Sequence, residues 1–511
     1  MLKSGFRIAA LILLAALFAT NLYRAATQSI VHDEALTWQF YLSGPASTIF
    51  QYYSPNNHFL ATVLFRISTT FFGDSEFAMR LPTLLAGAGF FWTVFELCGL
   101  LFGGGWLFLL GCAALTLNPI LLDFLVAARG YGLAMAGLFW ALFQILSWIH
   151  ERWRGIPQEQ LHKRLWKAAL GCSIAVAANN TFLMPVLVIA TAFCVLLLRR
   201  PDKGSAVETR KKSKKAKPET VREPGRSYVS FLHFVVPVTV LAIAFLLAAP
   251  IDSARSEDLY AGIPSALKSL RNLMDVSFAY GSGPGALHEI ERIWSGIALV
   301  FLPVATVAAL IVAVTTTRLA RSLVGVATLF SSLAVVGSAL LLAGAHLVAG
   351  IPYPEDRTGI YFVPLASLAA LGLAQILAER HGLDRWIGIA VTVVLASFAL
   401  EFAAQWNVKS FWVWRYDADT KRIFEIMEKT PKPAEQNRIG ASWQFEPALN
   451  YYRAVRKAEW MAPVKRDGFE GARQFYVLIP QDQNAAGLPK LKPIYHGSIS
   501  SAELAIPQSN Q

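Results

Sequence analysis

The sequence predicts an all-α polytopic membrane bundle of about eleven transmembrane helices, with interfacial helices in its first outer loop, followed by a small α/β domain outside the membrane. Of the 511 residues, 55% are hydrophobic and only 16% are charged, whereas an average soluble domain has roughly 25% charged residues. The apolar residues form long runs, unlike the amphipathic periods of a soluble protein. Short alternating patterns return only at the C-terminal end, in residues 405–511.

The positive charge of the chain indicates membrane orientation. The net charge is +12, and the basic residues lie in short segments between apolar runs, which is typical of cytoplasmic loops and not of a nucleic-acid-binding surface. The four cysteines lie within apolar stretches without disulfide or metal spacing. We interpret them as small packed residues of membrane helices: Cys98, Cys112, Cys172 and Cys194.

Eleven apolar segments are candidates for crossing the bilayer, which takes roughly 20 residues of helix. The first follows a basic N-terminus and has no small-residue cleavage site, so we expect a retained helix and not a cleaved signal peptide. The stretch 166–198 has room for two short helices that turn at Asn179-Asn180. The predicted spans are 8–24, 81–101, 106–127, 131–149, 166–180, 181–198, 229–250, 294–315, 322–348, 360–378 and 386–404.

One further apolar segment, residues 58–72, is predicted to lie at the interface or to dip only partly into the membrane. As a helix it would rise about 22 Å, which is less than the roughly 30 Å hydrocarbon core. It also carries Arg66 near its middle, and an arginine at the bilayer centre is costly.

The distribution of basic loops supports this choice. With a cytoplasmic N-terminus and 58–72 not spanning, every strongly basic loop is cytoplasmic, as the positive-inside bias requires. If 58–72 spanned, all of these loops would be outside. We therefore expect a multi-pass protein of the cell (inner or plasma) membrane with an extracytoplasmic C-terminal domain. The basic loops are 150–165, 199–228, the segment with Arg318 and Arg321, and 379–385.

The predicted domains are a transmembrane domain, 1–404, and a small α/β domain, 405–511. Within the first, the lysine-rich loop 199–228 is expected to be disordered, either as a solvated loop or at anionic headgroups. The outer face collects the loops 25–80 and 251–293 and the C-terminal domain. In that domain the pattern predicts helices at 419–429 and 448–456 and strands at 438–443 and 475–480, without a cofactor motif.

The acidic pair Asp33-Glu34 is the leading candidate for chemistry. It lies beyond the end of the first helix and precedes a short amphipathic stretch with Leu36, Phe40 and Tyr41 on its apolar face. One interpretation is a capping pair, because carboxylates are favourable at a helix N-terminus. The other is a general base at the membrane surface.

The predicted topology brings further ionisable residues to the level of this pair. They come from the openings of later helices and from the first loop, and ionisable groups at the edge of a membrane bundle are functional candidates because they are costly to keep. Arginine also matches phosphate with a bidentate fork. The group consists of Asp33, Glu34, His58, Arg80, Arg129, Asp356 and Arg357.

Each member also has a structural interpretation. Arg80 would snorkel to headgroups, and His58 would be an interfacial histidine. Arg129 and Arg357 would anchor helix starts, and Asp123 would pair with Arg129.

The motifs around these residues resemble those of the C-type superfamily of membrane glycosyltransferases, which use polyprenyl-phosphate sugars. The chain is most similar to the branch with protein O-mannosyltransferases and the lipid A aminoarabinose transferase. The resemblance covers roughly residues 5–380. It is carried by HDEALTW after Val31, PNNHFL at 55–60, GDSEFAMRLP at 73–82, AARGYGLAM at 127–135 and DRTGIYFVPL at 356–365.

The resemblance implies roles for individual residues. In that family the acidic pair of the first outer loop is the catalytic centre, which carries over to Asp33 as the base and Glu34 as its support or as a group that positions the acceptor. Arginines near helix openings hold the donor phosphate, which carries over to Arg357 and further to Arg80 and Arg129. The other substrate-binding candidates are Asn57, His58, Tyr131 and Tyr361.

The implied reaction is an inverting transfer of sugar from polyprenyl phosphate to an acceptor hydroxyl of a lipid, glycan or protein at the outer face. Membrane lipids are further partners, and nucleic acid is excluded. No cofactor or metal is required, because the lipid phosphate leaves as a stabilised anion. A divalent ion on Asp33 and Glu34 is the open alternative.

Two departures leave the donor and acceptor unidentified. Asn56-Asn57-His58 replaces a proline pair of many relatives, and Thr358-Gly359 replaces a tyrosine that follows the late arginine in many relatives. A transporter or flippase is the alternative function, but it would show internal repeats or broken midplane helices, and the sequence has no visible repeat. A scaffold protein with a partner-binding C-terminal domain is a further alternative.

Overall fold

The computed structural model describes residues 2–51, 53–198, 228–250, 262–279, 286–316, 322–432, 437–469, 471–482 and 484–508. Three sequence predictions lie wholly or partly outside these residues. They are the disordered loop 199–228, apart from residue 228, the pair Arg318 and Arg321, and parts of the loop 251–293.

The described residues form eighteen α-helices and four strands. The helices are α1 Leu2–Thr27, α2 His32–Thr37, α3 Thr48–Gln51, α4 Phe59–Phe72, α5 Glu76–Phe102, α6 Trp106–Thr116, α7 Pro119–Phe124, α8 Gly130–Trp153, α9 Gln158–Ala178, α10 Leu183–Leu198, α11 Tyr228–Ala248, α12 Ala266–Phe278, α13 Ala286–Thr315, α14 Leu323–Ala349, α15 Phe362–Ala378, α16 Leu383–Ala404, α17 Thr420–Lys429 and α18 Glu446–Val455. The strands are β1 Ile439–Ala441, β2 Phe475–Leu478, β3 Leu491–His496 and β4 Glu503–Pro507.

The predicted fold class, a helical membrane bundle with a small sheet domain at its C-terminus, is confirmed. Within the described part of the chain, nine helices and not eleven are long and apolar enough to cross a membrane. The predicted span 106–127 is broken, because Asn118 ends α6 and caps the new helix α7, with its side chain accepting from Ile120 N. The predicted span 166–180 belongs to the longer helix α9. This helix is not apolar enough to be counted as a membrane span, because its first turns are charged.

The first loop, between α1 and α5, is mostly helical. After α2 the chain continues as a wide helical turn, Trp38–Leu42, whose end is held by Arg66 of α4. The Arg66 Nη1 donates to the carbonyl oxygens of Leu42 and Gly44 at 2.5 and 2.7 Å. This contact gives the arginine in the middle of an apolar helix a local partner at a helix C-terminus, where cations are favourable. The placement of α4 relative to a bilayer stays a prediction.

The C-terminal domain is built around a four-stranded sheet of order β1-β2-β4-β3. The pair β1–β2 is parallel, and β4 pairs antiparallel with both β2 and β3. The helices α17 and α18 and the strands β1 and β2 lie at the predicted positions. The strands β3 and β4 were not predicted from the sequence. In β3, LKPIYH, lysine and proline interrupt the apolar positions, and no residue of the strand is buried.

The C-terminal domain is joined to the first loop by hydrogen bonds at buried positions. Tyr452 of α18 accepts a hydrogen bond from Ile30 N at 2.9 Å and donates to Glu76 Oε1 at 3.0 Å. Asp417 accepts from His32 N at 2.7 Å. The conformation of the chain immediately before Asp33 therefore depends on the C-terminal domain.

We predict that Tyr452→Phe loosens this junction. The change removes both hydrogen bonds of the hydroxyl and leaves Ile30 N buried without its partner, which costs about 1–3 kcal/mol. Limited proteolysis of the detergent-solubilised protein should release the C-terminal domain faster than in the wild type. Tyr23→Phe, at a position that is 55% exposed on α1, is the matched control. Equal cleavage rates for the wild type and Tyr452→Phe would contradict the proposed role.

Candidate active site

The two acidic residues of the first turn of α2 have different surroundings. Successive residues on an α-helix point about 100° apart, so Asp33 and Glu34 face different partners. Both residues are buried, at 8% and 1% exposure. Their contacts divide the pair into one carboxylate that is enclosed by hydrogen bonds and one that lies between two cationic groups, of which one is partly exposed.

Glu34 is enclosed. Its Oε1 accepts from Arg80 Nε at 2.9 Å and from the backbone N–H of Ala128 at 2.7 Å. Its Oε2 accepts from Arg80 Nη2 at 2.6 Å and from Val31 N at 3.1 Å. The bond to Val31 caps the helix, and the bond to Ala128 ties α2 to the start of α8. Glu34 thus fixes the position of its neighbour Asp33.

Arg80 is equally occupied. It is completely buried, and besides Glu34 it donates to the carbonyl oxygens of Gln28 at 2.8 Å, Ser29 at 2.7 Å and Ala25 at 3.4 Å. These bonds account for all five N–H donors of a guanidinium group. We therefore interpret Arg80 as a structural clamp of the first loop, in place of the phosphate-binding role that the resemblance implied.

The Asp33 carboxylate lies between two other guanidinium groups. Its Oδ2 accepts from Arg357 Nη2 at 3.1 Å and is 3.7 Å from Arg129 Nη2. The Trp414 side chain also donates to it. Burial raises the pKa of this carboxyl, but Arg129 and Arg357 outweigh burial and leave the pKa below the ordinary value for aspartate. Asp33 is therefore ionised at neutral pH.

The two arginines differ in how accessible they are. The Arg357 side chain is 27% exposed, whereas that of Arg129 is 2% exposed. Arg129 also donates to Asn56 Oδ1 at 2.9 Å and to Thr37 Oγ1 at 3.2 Å. Its buried Nε has no hydrogen-bond partner in the described ranges of the chain. An anion that enters from solvent or lipid would thus meet Arg357 before Arg129.

His58 lies beside the same cluster. Among the residues that the structure describes, the Nε2 atom of this buried side chain has no hydrogen-bond partner. Its ring packs edge-on against Tyr131, with ring centroids 5.1 Å apart. Burial, Arg129 and Arg357 all lower its pKa well below the ordinary histidine value, so the ring is neutral at neutral pH. Gly130 permits this approach, because a Cβ there would lie 2.8 Å from His58 Cβ and 1.9 Å from Ala178 O.

The other candidates lie at various distances from this centre. Tyr131 interacts with Arg357 through its hydroxyl. Tyr361 is buried against Phe182, with ring centroids 5.3 Å apart. Asn57 donates to Ile49 O at 3.0 Å.

Two carboxylates have partners away from Asp33. Asp356 accepts from Asn272 Nδ2 at 2.9 Å, so it faces α12. Asp123 is paired with Arg24, and its Oδ2 accepts from Trp412 N at 2.7 Å. The expected pairing of Asp123 with Arg129 is therefore wrong, because the guanidinium group of Arg129 is turned toward Asp33 and the first loop.

Three residues of the site were not found from the sequence. Asn56, and not Asn57, contacts Arg129. Trp414 contacts Asp33 and also lies under Arg357, whose guanidinium carbon is 5.6 Å from the ring centroid. Asp417 holds the backbone of the residue before Asp33. The run WVWRYD after the last apolar segment was the available signal for the second and third of these.

No arrangement of three or more His, Cys, Asp or Glu side chains suited to a metal ion occurs in the described part of the chain. Asp33 and Glu34 have separate sets of partners. The metal-free reaction nevertheless stays a prediction, as does the alternative of a divalent ion on this pair.

Comparisons with known proteins give structural similarity only. No protein-family model and no curated protein matches the chain. The chain is similar to the crystal structure of ArnT from Cupriavidus metallidurans in the apo state, with 10% identity, a TM-score of 0.46 and 98% of each chain covered. For ArnT bound to undecaprenyl phosphate the identity is 12%, the TM-score 0.40 and the coverage 99% of each chain.

A further similarity is to the Archaeoglobus fulgidus oligosaccharyltransferase in the apo form, with 13% identity and a TM-score of 0.43, covering 93% of this chain and 70% of that one. Both neighbours are membrane glycosyltransferases of the C-type superfamily, the group that the sequence motifs resemble. At these TM-scores the similarity carries no functional argument, so the proposal below rests on the site itself.

We predict that Glu34→Gln destabilises the protein more than Asp33→Asn. Glu34→Gln leaves the buried Arg80 guanidinium without its counter-charge, and breaking a buried ion pair from one side costs about 3–5 kcal/mol. Asn at position 33 keeps an acceptor oxygen, and the side chain of Asp33 is 11% exposed. Thermal unfolding of the two purified variants measures the difference. A larger loss of stability for Asp33→Asn would contradict the division of roles within the pair.

Proposed function

We propose that the protein is a membrane glycosyltransferase that moves a sugar from a polyprenyl-phosphate donor to an acceptor hydroxyl at the outer face of the membrane, with inversion. The observation that carries the proposal is the buried, ionised carboxylate of Asp33 between the guanidinium groups of Arg357 and Arg129. The proposed base, Asp33, therefore lies directly beside the two arginines that would bind the donor phosphate. The motif resemblance in the first loop and at the openings of α8 and α15 supports the same reaction.

The mechanism follows from competition for the arginines. The donor phosphate would displace Asp33 from Arg357, the more exposed of the two groups. Once Arg357 binds the phosphate, the Asp33 carboxylate loses one of its two cationic partners. It then becomes a stronger base, because nearby positive charge is what lowers its pKa. Donor binding would thus activate the base.

The transfer step balances without a metal. The acceptor oxygen gives its proton to Asp33 and forms a bond to the anomeric carbon from the face opposite the phosphate. The bond between that carbon and the phosphate oxygen breaks, and its electron pair leaves with the lipid phosphate, which the arginines stabilise. Preorganised charge of this kind is usually the largest contribution to catalysis. Attack from the opposite face inverts the anomeric configuration.

His58 would act as a neutral hydrogen-bonding group in this site. Its lowered pKa keeps it uncharged, and its unpartnered Nε2 can donate to a phosphate oxygen or bind a sugar hydroxyl. The buried Nε of Arg129 would provide a second free donor for the same ligand.

Asp33→Asn should abolish most turnover in a folded, membrane-inserted protein. General-base assistance typically contributes 10²–10⁴-fold, so we expect a loss of at least about 100-fold with a purified polyprenyl-phosphate sugar and a reconstituted acceptor extract. Asp384→Asn on α16 is the matched control, because its 44% exposed carboxylate pairs with Arg380 at 3.1 Å. Transfer by Asp33→Asn at a rate near that of the wild type would sink the assignment.

The acid limb of kcat/KM should move when Arg357 is neutralised. In the free wild-type enzyme the pKa of Asp33 lies below the usual aspartate range, so activity falls only as the pH drops through that low value. Arg357→Gln removes one cause of the lowering, which shifts the limb to higher pH. Arg357→Lys keeps the charge and should leave the limb closer to that of the wild type. Superimposable limbs for wild type and Arg357→Gln would argue against Asp33 as the base.

A further inference from the structure

A cleft separate from the Asp33 centre lies where α12, α13 and the end of α16 meet the segment 405–415. It consists of two adjacent cavities of about 380 and 490 Å³ that share Trp412 as a wall. Neither cavity is lined by Asp33, Arg129 or Arg357. The site described above therefore does not account for it.

The first cavity has the composition of a carbohydrate-binding site. Two carboxylates, Glu291 and Glu401, and two tryptophan rings, Trp406 and Trp412, line it. Aromatic faces and carboxylates together suit a ring with hydroxyl groups, since the faces cover C–H groups and the oxygens accept O–H hydrogen bonds. The cavity is large enough for a small ligand, for which pockets start at about 300 Å³.

Glu291 provides an unsatisfied acceptor in this cleft. The residue is 6% exposed, and its Oε2 has no hydrogen-bond partner within the described part of the chain. Leaving a buried polar atom unpaired costs about 1–3 kcal/mol, and more when it is charged. Such an atom that lines a cavity is expected to be paired when a ligand is bound.

His288 provides a second unsatisfied group, one turn before Glu291 on α13. Its Nδ1 has no hydrogen-bond partner among the described residues and lies 3.7 Å from Glu291 Oε2. This separation is too long for a direct hydrogen bond. A ligand hydroxyl beside the pair, about 2.8 Å from each atom, can donate to the carboxylate while it accepts from the ring N–H. The pair thus offers both hydrogen bonds to one ligand hydroxyl.

The second cavity is basic and continues toward the apolar part of α13. Arg271, Arg292 and His288 line it together with one carboxylate, Asp275, which accepts a hydrogen bond from Ser295, and with the apolar Leu299 of α13. The helix α13 is one of the candidate membrane spans. A phosphate at the arginines would therefore leave an attached lipid chain beside the apolar surface of this helix, because arginine favours phosphate with its bidentate fork.

We propose that this cleft binds the acceptor, and that the acceptor is a membrane lipid whose headgroup carries a phosphate next to a hydroxylated ring. The identification as acceptor rests on the proposed glycosyl transfer, whereas the binding of such a lipid does not. The cleft adjoins the Asp33 centre on two sides. Asn272, next to Arg271, is hydrogen-bonded to Asp356, the residue before Arg357, and Trp412 is two residues from Trp414.

The test is lipid binding to the purified full-length protein in nanodiscs, without a sugar donor. Phosphatidylinositol supplies both parts of the proposed headgroup. Phosphatidic acid supplies the phosphate alone, an uncharged glucosyl diacylglycerol supplies the ring alone, and diacylglycerol supplies neither feature. We expect phosphatidylinositol to bind at least roughly tenfold more tightly than diacylglycerol, with the other two lipids between them.

Variants separate the two halves of the cleft. The double variant Arg271→Gln, Arg292→Gln changes exposed side chains and should remove the preference for phosphate. Glu291→Gln should reduce the preference for phosphatidylinositol over phosphatidic acid. Arg385→Gln, an exposed arginine at the opposite end of α16 from Glu401, is the control.

Equal binding of phosphatidylinositol and diacylglycerol to the wild type would overturn the proposal, as would unchanged lipid preferences in both cleft variants. Asp33→Asn should bind phosphatidylinositol as the wild type does. Loss of transfer with retained binding then separates a failure at the Asp33 centre from a failure of the cleft.

Discussion

The buried ion pair between Glu34 and Arg80 is the constraint on which the site depends. Both side chains are almost inaccessible, at 1% and 0% exposure, and the partners lie 46 positions apart in the chain. Arg80 holds the carbonyl groups at the end of α1 at the same time as it holds the first turn of α2. The direction of α2, and with it the position of Asp33, is therefore set by a cation that has no donor left for a substrate.

A second layer of contacts comes from the C-terminal domain. Asp417 fixes the backbone of His32, Tyr452 fixes that of Ile30, and Trp414 reaches both Asp33 and Arg357. The Asp417 carboxyl is fully buried, and burial together with the charges of Asp33 and Glu34 raises its pKa well above the usual value. The domain thus forms part of the wall of the candidate site, which a detachable partner-binding module would not do.

The sequence predicts the helices and the level at which polar residues gather, but not which residues pair. Long apolar runs specify α5, α8 and α15 because helix length is set by the bilayer. The choice of Glu34 and not Asp33 as the partner of Arg80 depends on the 100° between neighbouring helix positions and on where α5 packs. Asp123 illustrates the same limit, since it is 99 positions from its partner Arg24 and only six from Arg129.

The central claim is that Asp33 and the donor phosphate compete for the same arginines. The direct measurement is the affinity of polyprenyl phosphate, without a sugar, for the wild type and for Asp33→Asn in detergent or nanodiscs. If the carboxylate competes, the variant binds the lipid phosphate more tightly than the wild type although it cannot transfer sugar. Equal or weaker binding by Asp33→Asn would contradict the account.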